Sequence, residues 1–230
     1  LIKDESAQML FEKLSNKQLD IFVMAWTTTP WTLPSNTALA VGKNIDYVLV
    51  ETFHPFLFSK VHVILAKALL NKHFPEKNAD LNFEDYKIGD KAIPYKILEQ
   101  FKGSELAGIQ YEQLLPFVKP DGEAFKVVVG DFVTTTDGTG IVHIAPSFGA
   151  DDFKVAKQNG INCYNVLTGF KWIGKMIRDA EGVEKFICGG EESFGFMTGD
   201  FVRDKDSCGS ILVACEIAAW CKANGRTMYQ

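Results

Sequence analysis

The stretch WTTTPWTLPSN, residues 26–36, combines hydroxyl side chains with prolines directly after an apolar run. Thr27, Thr28 and Thr29 each carry an oxygen that both donates and accepts hydrogen bonds. Proline removes a backbone donor and ends strands and helices, so this segment predicts an irregular bend whose hydroxyls line a site. Considered alone, it also fits a surface strand exit that is held by proline.

A second polar motif follows much later in the chain, in GTGIVHIAPSFGADDF, residues 138–153. Asp151 and Asp152 begin a helix that the pattern predicts over 149–160, with Gly160 as its stop. Acidic residues there also favour the helix N-terminus without any function. His143 has apolar neighbours, and a single histidine in such a place is more often a hydrogen-bonded core residue.

Taken together, the two motifs closely resemble the editing domain of isoleucyl-tRNA synthetase, which hydrolyses tRNA charged with the wrong amino acid. The resemblance covers about residues 1–161. Related valine and leucine enzymes carry Arg in place of Thr29 and Lys or Met in place of His143, so the isoleucine type matches best. The resemblance implies an α/β chain, with a β-barrel-like editing domain and flanking helices followed by a small mixed α/β segment.

The resemblance also implies a set of substrate-binding residues: Thr27, Thr28, Thr29, Asn36, His143 and Asp152. Of these, Asp152, Thr28 and His143 would carry the catalysis. Asp152 would pair with the α-ammonium of the substrate, and Asn36 would lie near the ribose. His143 would form a pocket wall that limits side-chain size. Because the sequence identifies no partner for His143, we do not assign it as a general base.

An editing site is needed because a pocket that accepts isoleucine excludes valine by only about 1–3 kcal/mol. The implied substrate is therefore valyl-tRNA specific for isoleucine, bound through the 3′ end of the aminoacylated tRNA. A positioned water, assisted by the ribose hydroxyl, would attack the ester without a covalent enzyme intermediate, since residues 1–161 contain no cysteine and no GxSxG motif. This requires Thr28 and Asp152 to face one cleft.

The elements that must position these residues alternate in type. Runs rich in β-branched and aromatic residues predict strands over 21–27, 46–52, 124–133 and 140–145. Residues 61–74 begin as a strand and finish with helical spacing, and the Asp-Gly in TTTDGTG predicts a turn over 134–140.

Three residue types are distributed unevenly. All eight prolines and all four histidines lie at or before Pro146, whereas all five cysteines lie after residue 162. We therefore predict a boundary near 155–163, which divides the chain into an editing domain, 1–161, and a second part, 162–230. In the second part the pattern predicts a helix closed by Gly182, a strand that ends in glycines, and an apolar helix stopped by Gly225.

The second part resembles a different family, the phosphoglucomutase and phosphomannomutase group, through TGFKWIG, GGEESFG and GDFVRDKD. The resemblance implies that Glu191 and Ser193 contact sugar hydroxyls and that Lys205 lies near a sugar phosphate. The chain lacks the TASHNP and DGDGDR loops of that family, so we predict no mutase activity and only a vestigial sugar site. Two such likenesses in one chain indicate a fusion. We favour an engineered or artefactual origin, and a natural fusion gene is the alternative.

Composition limits the remaining classes. A net charge of −5 argues against a protein that wraps long nucleic acid. Neither a membrane span nor a secretory signal is recognisable, so we expect a cytoplasmic protein without a membrane partner. The cysteines form no CxxC pair, and we expect no metal and no cofactor.

Without HIGH and KMSKS motifs, the chain should not charge tRNA. A phosphohexomutase fragment and a catalytically inert chimera remain the alternatives, and the oligomeric state is open.

Overall fold

The computed structural model describes most of the chain. The described residues are 1–3, 6, 20–114, 124–146, 148–160, 162, 164, 166–184, 186, 189–191, 195–197, 199–205 and 207–223. Its strands are β1 Ile21–Val23, β2 Ala38–Val41, β3 Asp46–Phe53, β4 Lys60–Ala66, β5 Tyr95–Lys102, β6 Lys126–Val129, β7 Ile141–Ile144, β8 Gly189–Glu191 and β9 Gly195–Met197. Its α-helices are α1 Leu70–His73, α2 Gly103–Leu106, α3 Ala150–Gln158, α4 Phe170–Asp179 and α5 Ser207–Ala223.

The larger sheet has four strands in the order β1-β4-β3-β5. β1 runs parallel to β4, and β3 is antiparallel to both β4 and β5. β-branched pairs such as Val50 opposite Val63 suit the pleated ladder. β3 is buried along most of its length, so it forms the centre of the domain.

The second sheet has the order β6-β2-β7, with β2 parallel to β6 and antiparallel to β7. The sheets meet where the chain beyond β1 pairs with β7: the N–H of Trp26 donates to the carbonyl of Ile141 over 2.9 Å. A shared core lies between them, and its fully buried members include Val41, Tyr47, Leu49, Ile64 and Ile141. The α/β class is confirmed, and in the described residues β1 to β7 form two joined open sheets rather than a closed barrel.

A tight turn before β7 holds the sheets together. The Tyr47 hydroxyl donates to the carbonyl of Gly140 over 2.7 Å and accepts the N–H of Gly42 over 2.9 Å. Gly140 has a φ of +74°, and a methyl group there would overlap the Cβ of Ala66. Only glycine combines this left-handed conformation with so close an approach.

Most predicted elements are present, with shorter bounds. The strands predicted over 46–52 and 140–145 correspond to β3 and β7, and those over 21–27 and 124–133 shorten to β1 and β6. The helix predicted over 149–160 is α3. The strand-to-helix change in 61–74 also occurs: β4 is followed by a 3₁₀ turn, Lys67–Leu69, and then by α1. β2, β5 and β9 were not predicted.

The proline-rich bend is more regular than predicted, because Pro30–Ser35 forms a 3₁₀ helix. Proline is tolerated in a first helical turn, where its missing N–H has no intrahelical partner. The helix ends when the N–H of Asn36 donates to the carbonyl of Leu33 over 3.0 Å. The prediction of an irregular segment was therefore wrong in detail, although no strand continues through it.

The C-terminal elements form a smaller cluster. Phe170 and Ile177 of α4 pack with Met197 of the antiparallel β8–β9 hairpin. The hairpin also contacts the first part of the chain, since Gly190 lies against the ring of Phe148. The predicted helix closed by Gly182 and the predicted apolar helix correspond to α4 and α5, whereas Gly225 lies outside the described residues. Within the described range, no helix is long and apolar enough to cross a membrane.

Candidate functional site

The threonine run lies just beyond β1, where the chain turns into the 3₁₀ helix. The N–H of Thr29 donates to the Thr27 hydroxyl over 3.0 Å, and the two hydroxyl oxygens are 3.3 Å apart. Both residues are half-buried, whereas Thr28 is exposed. Within the described part of the chain the Thr28 side chain makes no hydrogen bond, so its hydroxyl faces solvent.

Thr32 connects this run to the interior. Its side chain is buried, and its hydroxyl donates to the carbonyl of Thr29 over 2.7 Å. The same oxygen lies 3.2 Å from the Thr29 hydroxyl and 2.8 Å from Nε2 of His143. Thr32 lies in the same stretch, residues 26–36, but is not among the predicted site residues. The signal that could have identified it is its spacing, one 3₁₀ turn after Thr29.

His143 lies on β7 opposite Leu39 of β2. Its side chain is 6% exposed, and this burial lowers the pKa of the imidazole below its ordinary value. The ring is therefore neutral at pH 7. Nε2 contacts Thr32, and Nδ1 lies 3.4 Å from the amide nitrogen of Asn36, so both ring nitrogens have protein partners.

Asn36 is buried beside the ring. Its amide nitrogen donates to the carbonyl of Ala38 over 2.9 Å, and its oxygen accepts the hydroxyl of Tyr111 over 2.7 Å. Burial raises the pKa of Tyr111 well above its ordinary value, so the phenol keeps its proton. Tyr111 belongs to neither sequence motif, and nothing in its local sequence marks it as part of a site.

Asp152 lies in the first turn of α3. Its Oδ2 accepts the N–H of Ala145, at the end of β7, over 2.9 Å. Burial raises the pKa of the Asp152 carboxyl, the hydrogen bond from Ala145 lowers it, and the charge of Asp151 raises it. Among the described residues Oδ1 has no hydrogen-bond partner, so it is available to a ligand.

The structure thus brings the predicted residues together to different degrees. Thr27, Thr29, Asn36 and His143 share one hydrogen-bonded network that runs through Thr32. Asp152 accepts the N–H of Ala145, which lies two residues after His143 and directly after β7. Thr28 is adjacent in sequence but exposed. The roles of these residues remain predictions.

The predicted sugar-binding residues of the second part are only partly described. Lys205 Nζ lies 3.3 Å from Oε1 of Glu191, and Oε2 of Glu191 accepts the N–H of Gly169 over 3.1 Å. Ser193 lies outside the described residues. Each oxygen of Glu191 therefore already has one partner within the protein.

Metal-binding residues do not cluster in the part of the chain that is described: no group of three His, Cys, Asp or Glu side chains could hold an ion. Cys208, Cys215 and Cys221 lie along α5. Cys163 and Cys188 lie outside the described residues.

Comparison with known proteins finds similarity of two kinds. The isoleucine–tRNA ligase of Cytophaga hutchinsonii is 60% identical over 162 residues, which is 70% of this chain and 15% of the ligase. That of Bacteroides fragilis is 59% identical over 140 residues, which is 61% of this chain and 12% of the ligase. The chain therefore spans less than a sixth of these curated relatives.

A solved structure shows the fold. The editing domain of the cytosolic leucyl-tRNA synthetase of P. knowlesi matches with a TM-score of 0.50 and 17% identity, over 92% of this chain and 78% of that one. The model of the phosphoglucomutase/phosphomannomutase alpha/beta/alpha domain III matches residues 134–230. That match begins before residue 162, and the boundary near 155–163 remains a prediction.

Both predicted resemblances are confirmed. The chain combines extensive similarity to isoleucyl-tRNA synthetases and the fold of a synthetase editing domain with a C-terminal segment similar to domain III of phosphoglucomutase/phosphomannomutase.

Proposed function

We propose that the chain hydrolyses the ester bond of valyl-tRNA specific for isoleucine, as an editing hydrolase that acts on the 3′ end of the aminoacylated tRNA. The observation that carries the proposal is the buried network between the threonine run and His143, with Asp152 fixed at the end of the same strand. It occurs in a chain that is 60% identical over 162 residues to an isoleucine–tRNA ligase. The proposal concerns deacylation only, not the synthesis of aminoacyl-tRNA.

Asp152 would recognise the free amino group of the esterified valine. Oδ2 is held by the N–H of Ala145 over 2.9 Å, which orients the carboxylate and leaves Oδ1 for an ammonium group. A partly buried carboxylate that meets an ammonium forms a charge-assisted hydrogen bond, which contributes about 1.5–3 kcal/mol. An uncharged tRNA end lacks that group, so it would bind less tightly.

The threonine hydroxyls would orient the ester and the attacking water. Thr28 is exposed, and Thr27 is half-buried beside it, so water reaches this edge of the network. Attack of the water oxygen on the carbonyl carbon breaks the ester C–O bond. The departing ribose oxygen takes up a proton, and the neighbouring ribose hydroxyl assists the transfer. The products are valine and uncharged tRNA.

His143 would act as a wall rather than as a base. Its two ring nitrogens contact Thr32 at 2.8 Å and Asn36 at 3.4 Å, so neither is free to accept a proton from water. The side chain is instead held rigidly, which suits a residue that limits the size of the bound amino acid.

The test is single-turnover deacylation of preformed valyl-tRNA by the wild type and the variants Asp152→Ala and Asp151→Ala. We expect the wild type to exceed spontaneous hydrolysis and Asp152→Ala to lose at least about tenfold, the equivalent of one charge-assisted hydrogen bond. Asp151→Ala is the matched control, because Asp151 is exposed in the same helical turn, and it should stay within about twofold. Equal rates for the wild type and Asp152→Ala would remove Asp152 from the mechanism.

A further inference from the structure

Tyr111 donates to the one buried amide that touches His143 in the described network. Tyr111, Asn36 and His143 are 5%, 7% and 6% exposed, so their polar atoms exchange hydrogen bonds within the protein rather than with bulk water. In such a setting each hydrogen must have an acceptor, and the acceptors determine where the hydrogens lie.

The carbonyl of Ala38 determines the orientation of the Asn36 amide. A carbonyl oxygen only accepts, so the amide atom that lies 2.9 Å from it must be the nitrogen. The amide oxygen then faces Tyr111 at 2.7 Å. Since that oxygen carries no hydrogen, the Tyr111 hydroxyl must donate to it.

The oriented amide determines the tautomer of His143. The second N–H of Asn36 faces Nδ1 of the ring at 3.4 Å, so Nδ1 must be the acceptor. The single proton of a neutral imidazole then resides on Nε2, which donates to the Thr32 hydroxyl over 2.8 Å. Burial lowers the pKa of His143, which supports the neutral ring.

Matching donors with acceptors in the same way gives the direction of each threonine hydroxyl. Thr32 donates its only hydroxyl hydrogen to the carbonyl of Thr29 over 2.7 Å, so it accepts from His143. It must accept from the Thr29 hydroxyl as well, at 3.2 Å. The hydrogen of Thr29 is thereby used, so Thr27 donates to Thr29 across 3.3 Å. The hydroxyl hydrogens of Thr27 and Thr29 therefore both point toward the oxygen of Thr32, whose own hydrogen points back to the carbonyl of Thr29.

We propose that Tyr111 is a positioning residue: its hydrogen bond anchors the Asn36 amide, which the carbonyl of Ala38 orients. The anchored amide holds His143 in its Nε2–H tautomer, which leaves the hydroxyl hydrogen of Thr32 for the carbonyl of Thr29. Its effect on catalysis rests on the proposed function, whereas the tautomer does not. Tyr111 touches no substrate.

The test is two-bond ¹H–¹⁵N NMR of the protein labelled with ¹⁵N-histidine, which distinguishes the tautomers by the shifts of the two ring nitrogens. His143→Gln identifies the resonances of His143 among the four histidines. We expect the wild type to show the Nε2–H form. Tyr111→Phe should add a population of the Nδ1–H form and lower kcat for deacylation by about 10- to 100-fold, with a smaller change in KM.

Tyr47→Phe is the matched control. Tyr47 is a buried tyrosine of the same core, and its hydroxyl bonds Gly42 and Gly140 rather than the site. It should lose stability but keep the tautomer of His143. If Tyr111→Phe fails to fold, Asn36→Asp tests the same relation, because a carboxylate next to Nδ1 only accepts and should convert the ring to the Nδ1–H form.

An Nδ1–H ring in the wild type would overturn the proposal. So would a tautomer that is unchanged in a folded Tyr111→Phe or, where that variant does not fold, in Asn36→Asp. A tautomer shift in a protein whose wild type does not deacylate valyl-tRNA would support the positioning role and reject the proposed function instead. The two proposals therefore fail on different measurements.

Discussion

The carboxylate of Asp152 accepts the backbone N–H of Ala145 over 2.9 Å, which ties the first turn of α3 to the end of β7. Two residues before Ala145, on β7 itself, His143 contacts Thr32 at 2.8 Å. One strand therefore sets the positions of both the acid and the histidine. Any change that shifts the register of β7 against β2 would move both groups together.

Asp152→Asn should stabilise the protein at neutral pH while abolishing recognition of an ammonium group. Burial raises the pKa of Asp152, so the folded state holds this proton more tightly than the unfolded chain does. Stability therefore falls as the pH rises from near the ordinary value of 3.8 through the raised folded pKa. Each unit of elevation corresponds to about 1.4 kcal/mol. Asn has no such proton to lose, and its oxygen still accepts from Ala145.

Urea unfolding of the wild type and Asp152→Asn at pH 4, 5.5 and 7 would measure this difference, which should be largest at pH 7 and shrink toward pH 4. Asp151→Asn, at the exposed position beside it, should give a smaller difference. A less stable Asp152→Asn at pH 7 would show that the charged carboxylate stabilises the fold.

The sequence motifs identified most of the network, because a site that orients water and a charged ester needs hydroxyls, an amide and a carboxylate. They did not identify Tyr111, whose contact with Asn36 spans 75 positions of sequence. That contact depends on how β6 and the chain before it lie beside β2, since the carbonyl of Thr37 accepts from Phe125 over 2.7 Å. Pairing between distant strands leaves no local pattern in the sequence.

The strands that sequence reasoning predicted are rich in valine, isoleucine and aromatic residues, as in β3 and β7. β2, ALAV, was missed because alanine is depleted in strands, and its four residues are buried on both faces and show no alternation. β5, YKILEQFK, mixes charged and apolar residues because it lies at an edge of the larger sheet. Tertiary context, not local preference, makes both of them strands.

Gly140→Ala should be among the most destabilising single-methyl changes in this fold. It places a side chain at a φ of +74° and forces its Cβ into that of Ala66. The left-handed conformation costs about 1–2 kcal/mol, and overpacking adds about 1–3 kcal/mol. We expect the free energy of unfolding to fall by about 2–5 kcal/mol, measured by urea unfolding.

Gly108→Ala is the matched control for the steric part of that loss. Gly108 has a φ of +87°, but a Cβ there would have no heavy atom within 4 Å beyond its chain neighbours. It should lose only the conformational cost of about 1–2 kcal/mol. If the two variants lose equal stability, the close approach between Gly140 and Ala66 contributes nothing.

The contact between Gly190 and Phe148 joins the second part of the chain to the loop that leads into α3, and a double-mutant cycle can measure it. A Cβ on Gly190 would lie 2.8 Å from two atoms of the Phe148 ring and 3.3 Å from the carbonyl oxygen of Gly195. Gly190→Ala should therefore displace the ring and lower the free energy of unfolding by about 1–3 kcal/mol. Phe148→Leu should lose stability alone but make room for the new methyl group. The double variant should then lose less stability than the two single variants together, by at least about 0.5 kcal/mol. If the two losses add to within about 0.3 kcal/mol, the two parts do not touch here.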